Sequence, residues 1–199
     1  MFKRSIDFTN SLDVYSLDNF LNLKSDLISL INNDPHSDTR VNSTLDVHIN
    51  RNDYHLSSNA ERDWVKLFYP QFEKECLTFA KSMGFSSFEI TAMWYQQYGG
   101  GDVHGWHHHG GSNYSGVFYL ENEGDVFTTE FINSKSKEVF SVTIKEGEVC
   151  FFPAFVLHQS PKNFFNSKKT IISFNIDFLL FEEEFTEIKD LAKTIKLKK

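Results

Sequence analysis

The sequence predicts a mainly β fold with flanking helices, organised as an antiparallel sandwich or barrel. From residue 86 to 181, short apolar runs alternate with Gly, Asn, Asp and Pro, a pattern typical of strands and turns. The 199 residues include 21 Phe, which indicates an aromatic-rich β core. Before residue 86, apolar residues instead recur at helical spacing. These observations predict helices that precede and cover a β core.

Two helices are predicted in the first part of the chain. Residues 16–32 have a helical apolar stripe, and Ser16 is the expected N-cap. Residues 60–83 have a stronger stripe that ends before Gly84. Pro70 lies inside this second stretch, so we expect it to split or kink the helix.

Strands are predicted mainly in the second part of the chain. Residues 33–58 are polar, and they indicate a long loop or a short strand pair around residues 45–49. The later apolar runs predict strands near 88–98, 103–109, 115–120, 126–132, 138–144, 148–152 and 170–179. We therefore divide one structural domain into an N-terminal extension packed on the barrel (1–87), a β core (88–181) and a C-terminal surface helix (182–199).

Composition excludes several classes of protein. The formal net charge of −7 argues against a nucleic-acid backbone as the main partner. No apolar run approaches the roughly 20 residues of a membrane span, and residues 1–7 are too polar for a signal peptide. Cys76 and Cys150 are far apart, so we expect both to be reduced and buried in a cytoplasmic protein. The oligomeric state is left open.

The densest chemical signal is a histidine cluster. Four of the eight histidines lie between residues 104 and 109, and His158 follows the apolar run 147–153. Histidine is the commonest metal ligand among side chains. A cluster with one distant partner therefore predicts a metal site in a β-barrel.

Strand alternation selects the ligands within the cluster. If residues 103–109 are extended, His107 and His109 share one face and can chelate one ion together with His158. The opposite face then carries His104, Trp106 and His108. Two alternatives remain open: a solvated surface cluster without metal, and ligation by His104 in place of His109.

Around this cluster, three motifs resemble a known enzyme family. They are the runs 106–120 (WHHHGGSNYSGVFYL), 147–158 (GEVCFFPAFVLH) and 169–175 (KTIISFN). In order and spacing they resemble the 2-oxoglutarate- and iron(II)-dependent oxygenases, especially a bacterial and phage subgroup of the prolyl-hydroxylase-like branch. The resemblance covers residues 88–178 and implies a double-stranded β-helix, also called a jelly roll or cupin-like barrel.

The resemblance also implies roles for individual residues. His107 and His158 match the two histidines of the iron triad, and His109 stands where the family usually has a carboxylate. Lys169 matches the basic residue that binds the distal carboxylate of 2-oxoglutarate, and Tyr119 matches a tyrosine that donates to the same group. Further co-substrate contacts are expected at Tyr98, Ser173 and Asn175.

We therefore expect a hydroxylase that uses Fe(II), 2-oxoglutarate and O2 and releases succinate and CO2. The substrate is expected to be a protein side chain or a small metabolite. Two rival hypotheses remain: a three-His cupin-type dioxygenase that does not use 2-oxoglutarate, and a non-catalytic jelly-roll binding protein.

Overall fold

The computed structural model describes residues 12–44, 46–123, 129–165 and 167–180 of the chain, and the side chains of all these residues except 40–44. The described helices are α1 (Phe20–Asn32), a 3-10 turn (Tyr54–Leu56) and α2 (Asp63–Ser82). The described strands are β1 (Asp13–Ser16), β2 (Asp38–Thr44), β3 (Val47–Asn52), β4 (Ser87–Tyr98), β5 (Val103–His107), β6 (Tyr114–Asn122), β7 (Glu130–Ile132), β8 (Val139–Ser141), β9 (Glu148–Pro153), β10 (His158–Ser160) and β11 (Lys169–Leu179).

All eleven strands belong to one curled antiparallel sheet. Their order is β1-β9-β6-β11-β4-β3-β5-β10-β7-β8, with β2 paired to the side of β3. β3 joins two halves of the sheet, because Arg51 and Asn52 pair with β4 whereas Val47 and His48 pair with β5. The larger half is β1-β9-β6-β11-β4, and the smaller half is β5-β10-β7-β8. The predicted β barrel with flanking helices is confirmed.

Two apolar cores hold the layers together. The first lies between the helices and the larger half of the sheet, and it contains most of the buried phenylalanines. In α2, buried residues recur every three or four positions, so one face of the helix covers the sheet. The second core lies inside the barrel, where Tyr119 and Phe152 of the larger half meet Phe131 of β7. The histidine cluster lies beside this inner core.

Two details of the helices differ from the prediction. Ser16 belongs to β1 and pairs with Glu148, so it does not cap α1; the helix begins after Asn19, whose φ of 58° turns the chain. Pro70 lies inside an unbroken α2. The rings of Phe68 and Phe72 on either side of it stack at 4.9 Å and are fully buried. The packing of Phe68 and Phe72 therefore stabilises the helix around Pro70, whose missing backbone N–H weakens it.

The predicted strands are present with shifted ends. The strand predicted over 103–109 ends at His107, and only the part of 126–132 from Glu130 onward is described. The segment before residue 88 supplies both helices and also three strands of the sheet. The C-terminal helix predicted over 182–199 lies outside the described residues.

Both cysteines of the chain lie among the described residues. Cys76 and Cys150 are both buried and unpaired, as predicted. Among the described residues, no helix combines the length and apolar character needed to cross a membrane.

Gly116 of β6 lies close against the core, with no room for a side chain. A Cβ at this position would lie 2.2 Å from Phe174 Cζ and 2.9 Å from the Cys150 carbonyl oxygen. We expect Gly116→Ala to lower the free energy of unfolding by about 1–3 kcal/mol, because overpacking forces the neighbours to move. Urea denaturation measures this change.

Gly111→Ala is the matched control, since nothing lies within 4 Å of a Cβ there. It should change the free energy of unfolding by no more than about 0.5 kcal/mol. Equal stability of the two variants would mean that β6 does not pack as described.

Candidate metal centre

Three histidines converge where β5 and β10 pair. β5 ends at His107 and β10 begins at His158, and these two residues are partners in the antiparallel register. His109 lies just beyond β5, and its backbone N–H donates to the Ala154 carbonyl oxygen at 2.8 Å. The ligand nitrogens of the three histidines all lie within 4.8 Å of one another. This arrangement can hold one metal ion.

Hydrogen bonds to backbone carbonyls orient two of the three rings. His107 Nδ1 lies 2.7 Å from the Gly105 oxygen, and His158 Nδ1 lies 2.9 Å from the Val156 oxygen. Because a carbonyl oxygen only accepts, Nδ1 carries the proton in both rings. The lone pair of each ring is therefore on Nε2, where it is free to bind a metal.

All three imidazoles are neutral at neutral pH. Burial, followed by the neighbouring histidines, lowers the pKa of His158 to about 3 and that of His109 to about 4. Burial also lowers the pKa of His107. Metal ligation requires the neutral ring, so a metal ion entering near pH 7 has few protons to displace. Among the described residues, the group contains no carboxylate.

His108 and His104 behave differently from each other. His108 is exposed and lies outside the cluster of ligand nitrogens. His104 faces the cavity, and its ring stacks on that of His107 with centroids 4.0 Å apart. The prediction that His104 lies on the opposite face is therefore wrong.

A β-bulge is the reason for the changed face of His104. His107 pairs with His158 and His104 pairs with Ser160, so two residues of β5 stand opposite one of β10. Gly105 within the bulge donates its N–H to the Asp46 oxygen at 2.7 Å, and a Cβ on Gly105 would lie 2.8 Å from Asp46 Cβ. This close approach requires glycine and fixes the bulge.

A narrow pocket adjoins the histidines. Its volume, including the open mouth, is about 360 Å³. Trp94 and Phe152 cover the cluster; their rings lie 5.9 Å from His109 and 4.6 Å from His158.

Lys169 is fully buried behind two residues that line the pocket, Ser160 and Tyr98, and does not line it itself. Its Nζ donates to Ser160 Oγ and lies 4.5 Å from the centre of the Tyr98 ring, directly opposite on β4. Burial lowers the pKa of the Lys169 ammonium to about 7. No ion pair to Lys169 occurs within the described ranges, so the side chain is a buried cation that lacks a counter-charge.

The other predicted co-substrate contacts in β6 and β11 lie in different surroundings. The Tyr119 hydroxyl is buried and lies 2.7 Å from Thr129 Oγ1, and it accepts the Thr129 N–H at 2.8 Å. Ser173 lines the pocket and donates to Gln96 Oε1 at 3.3 Å. Asn175 Oδ1 accepts a hydrogen bond from the Ser115 hydroxyl at 2.9 Å, and Asn175 does not line the pocket.

Several residues of the site were absent from the sequence prediction. Trp94 and Gln96 line the pocket with Tyr98, as expected for alternate residues of one strand. That alternation could have identified them from Tyr98 alone. Ser160, two residues after His158, could have been found in the same way. The role of Thr129 depends on a tertiary contact and has no signal in the sequence.

Comparisons with known proteins fall into two groups. No protein-family model and no curated protein sequence matches the chain. Solved structures do match, at low sequence identity. A Pseudomonas putida prolyl-4-hydroxylase superposes with a TM-score of 0.61 at 13% identity, covering 86% of this chain and 94% of that one.

Two further structures give the same result. An oxidoreductase of the 2OG-Fe(II) oxygenase family from Burkholderia pseudomallei has a TM-score of 0.61 at 11% identity, covering 82% of this chain and 85% of that one. The epimerase SnoN, in complex with Fe3+, alpha ketoglutarate and nogalamycin RO, has a TM-score of 0.65 at 10% identity, with coverages of 84% and 79%. The chain therefore has the double-stranded β-helix fold of the 2-oxoglutarate- and iron(II)-dependent oxygenases, the fold that the resemblance in its sequence implied.

Proposed function

We propose that the protein is an iron(II)- and 2-oxoglutarate-dependent dioxygenase that hydroxylates a C–H bond of a protein side chain or a small metabolite. The observation that carries the proposal is the placement of three neutral imidazoles beside a buried lysine, which reaches the same strand pair from β11 through its bond to Ser160. His107 and His158 form one rung of the β5–β10 ladder. Ser160, which binds Lys169, lies on the next paired rung. A metal-chelating acid with a second carboxylate matches this arrangement.

The described residues fit both an iron(II) ion and a 2-oxoglutarate molecule. Nitrogen ligands suit divalent iron, and the free Nε2 atoms of His107 and His158 are held in place by their Nδ1 bonds. When bound, iron(II) supplies the redox chemistry that couples O2 and 2-oxoglutarate to hydroxylation, with release of succinate and CO2. Lys169 supplies the charge for the distal carboxylate. Trp94 and Phe152 pack against His109 and His158 and cover part of the metal site.

The buried side-chain amide of Asn122 also favours the binding of an anion beside Lys169. The two residues are direct partners between β6 and β11 and therefore share a face of the sheet. Asn122 is only 3% exposed, and neither its Nδ2 nor its Oδ1 has a hydrogen-bond partner among the residues that the structure describes. A buried amide without a partner costs free energy, and a bound carboxylate can accept from its nitrogen.

The structural neighbours include both a prolyl-4-hydroxylase and an epimerase, so the fold does not determine the reaction outcome. Hydroxylation is the outcome that we propose. A cytoplasmic location is part of the proposal, and the two buried, unpaired cysteines support a reducing compartment.

One observation favours a second candidate function. The metal group contains three histidines and, among the described residues, no carboxylate, which suits a three-His cupin-type dioxygenase that needs no 2-oxoglutarate. The two candidates differ in their dependence on the co-substrate. Oxygen consumption by the iron-loaded protein without 2-oxoglutarate would favour the second.

The proposal is tested by thermal unfolding of the zinc-loaded protein. A ligand that binds only the native state raises apparent stability, by about 2.7 kcal/mol at a concentration of 100 Kd. We expect 2-oxoglutarate to raise the melting temperature of the metal-loaded protein more than that of the metal-free protein. Glutarate, which lacks the chelating oxo group, should have a smaller effect. No shift with millimolar 2-oxoglutarate would refute the proposal.

The lowered pKa of Lys169 gives a separate prediction about pH. The lysine is partly deprotonated near pH 7, and a bound carboxylate favours its charged form and so raises its pKa. Binding above about pH 7 must therefore take up a proton. The affinity for 2-oxoglutarate should fall by up to about tenfold per pH unit between the two pKa values and be nearly flat below pH 6.

Calorimetric titration of the zinc-loaded protein between pH 6 and 8.5, in buffers of different ionisation enthalpy, measures both the affinity and the proton uptake. A constant affinity without proton uptake across this range would show that Lys169 does not bind the ligand as its charged form.

A further inference from the structure

The bulge in β5 gives the pocket a polar group that the metal cluster does not use. His104 lines the pocket beside the metal ligands, but it lies outside the group of three converging histidines. Its ring is nearly parallel to that of His107, at 15° and with centroids 4.0 Å apart. A metal ion lies close to the plane of each ring that binds it. Two stacked parallel rings share no such point, so His104 and His107 do not bind the same ion.

A short chain of hydrogen bonds fixes where His104 carries its proton. Ser173 donates to Gln96 Oε1 at 3.3 Å, so the amide nitrogen of Gln96 faces the histidine. That nitrogen lies 3.3 Å from His104 Nδ1. An amide nitrogen only donates, so Nδ1 accepts and the ring proton lies on Nε2. His104 is therefore a neutral donor with one ring N–H left for a ligand.

The position of His104 along the ladder indicates which ligand atoms it meets. It pairs between β5 and β10 with Ser160, whose hydroxyl oxygen accepts a hydrogen bond from the Lys169 ammonium. The metal pair, His107 and His158, forms the neighbouring rung. His104 thus lies at the Lys169 end of the space between the metal centre and the buried lysine.

We propose that His104 is a co-substrate-binding residue, whose Nε2–H donates to the distal carboxylate of a 2-oxo dicarboxylate also bound by Lys169. The inference rests on the proposed function and adds to it a further donor beside Lys169 and Asn122, whose ring proton is placed on Nε2 by the bonds from Ser173 to Gln96 and from Gln96 to His104. Lys169 and His104 differ in kind, since Lys169 is a point charge on a flexible stem whereas His104 is a directional donor on a ring held by stacking.

A pair of amide variants tests the inference in the zinc-loaded protein. The Asn side chain places its amide near the Nδ1 position of histidine, whereas the longer Gln side chain reaches the Nε2 position. We expect His104→Asn to weaken 2-oxoglutarate binding by about 10- to 100-fold, as loss of a hydrogen bond to a charged group does. His104→Gln should remain within about threefold of the wild type. Isothermal titration calorimetry measures both, and zinc affinity should be unchanged in each.

A second ligand separates binding from a structural role. 2-Oxobutyrate has the chelating oxo acid but no distal carboxylate, so His104→Asn should not weaken its binding relative to the wild type. An equal loss for both ligands, loss of zinc from His104→Asn, or wild-type affinity for 2-oxoglutarate in His104→Asn would overturn the inference. Failure of the wild-type protein to bind 2-oxoglutarate would instead overturn the proposed function.

Discussion

We expect replacement of His158 with alanine to abolish binding of a divalent metal ion. The side chain supplies one of three converging imidazoles, and its Nε2 is available because Nδ1 is bound to the Val156 carbonyl. Changes in the outer shell of a metal site cost about 10- to 100-fold in affinity, and loss of a ligand should cost more. We expect the same loss for His107→Ala. Equilibrium titration with zinc or cobalt measures the effect.

His108→Ala is the matched control, because His108 is adjacent in sequence but exposed and outside the ligand group. Its affinity for metal should equal that of the wild-type protein. Equal losses from His107→Ala and His108→Ala would contradict the assignment of ligands.

We expect replacement of Lys169 with methionine to abolish the proposed binding of 2-oxoglutarate and to stabilise the metal-free protein. Removing one partner of a buried, hydrogen-bonded charge pair costs about 2–5 kcal/mol of binding free energy. The unliganded protein should respond in the opposite direction. There, Lys169 is a fully buried cation without an ion-pair partner in the described part of the chain. Replacing such a charge with an apolar side chain of similar length removes its desolvation cost.

Urea denaturation and calorimetric titration of the same variant measure the two effects. Lys168→Met is the control, because the neighbouring side chain is exposed, and it should change neither quantity by more than about 0.5 kcal/mol. Destabilisation of the metal-free protein by Lys169→Met together with unchanged 2-oxoglutarate binding would assign the lysine a structural role.

Local patterns predicted much of the site. Alternation along β5 identified His107 and His109, although the strand ends at His107 and a backbone bond to Ala154 directs the segment that carries His109. The motif that contains Lys169 led to a buried residue that bonds to Ser160 of the pocket wall. Strand periodicity is set by neighbouring residues in the sequence, so the convergence of the two histidines could be predicted locally. Their role as metal ligands and the role of Lys169 stay predictions.

The position of His104 could not be predicted in the same way. Its face depends on the bulge at Gly105, and the bulge depends on close contact with Asp46, a residue 59 positions earlier in the chain. The hydrogen bond of the Tyr119 hydroxyl could not be predicted either, because it is a tertiary contact with Thr129. Strand alternation assumes a regular ladder, and tertiary contacts decide where the ladder is interrupted.

The most direct test of the account is the fate of 2-oxoglutarate in the iron-loaded protein. Protein reconstituted with Fe(II) under anaerobic conditions is given 2-oxoglutarate and then O2, and succinate is quantified against the 2-oxoglutarate consumed. We expect one succinate for each 2-oxoglutarate consumed by the wild-type protein, and none above background for His158→Ala or Lys169→Met. Oxygen consumption that does not depend on 2-oxoglutarate, or no succinate from wild-type protein that binds both iron and 2-oxoglutarate, would contradict the account.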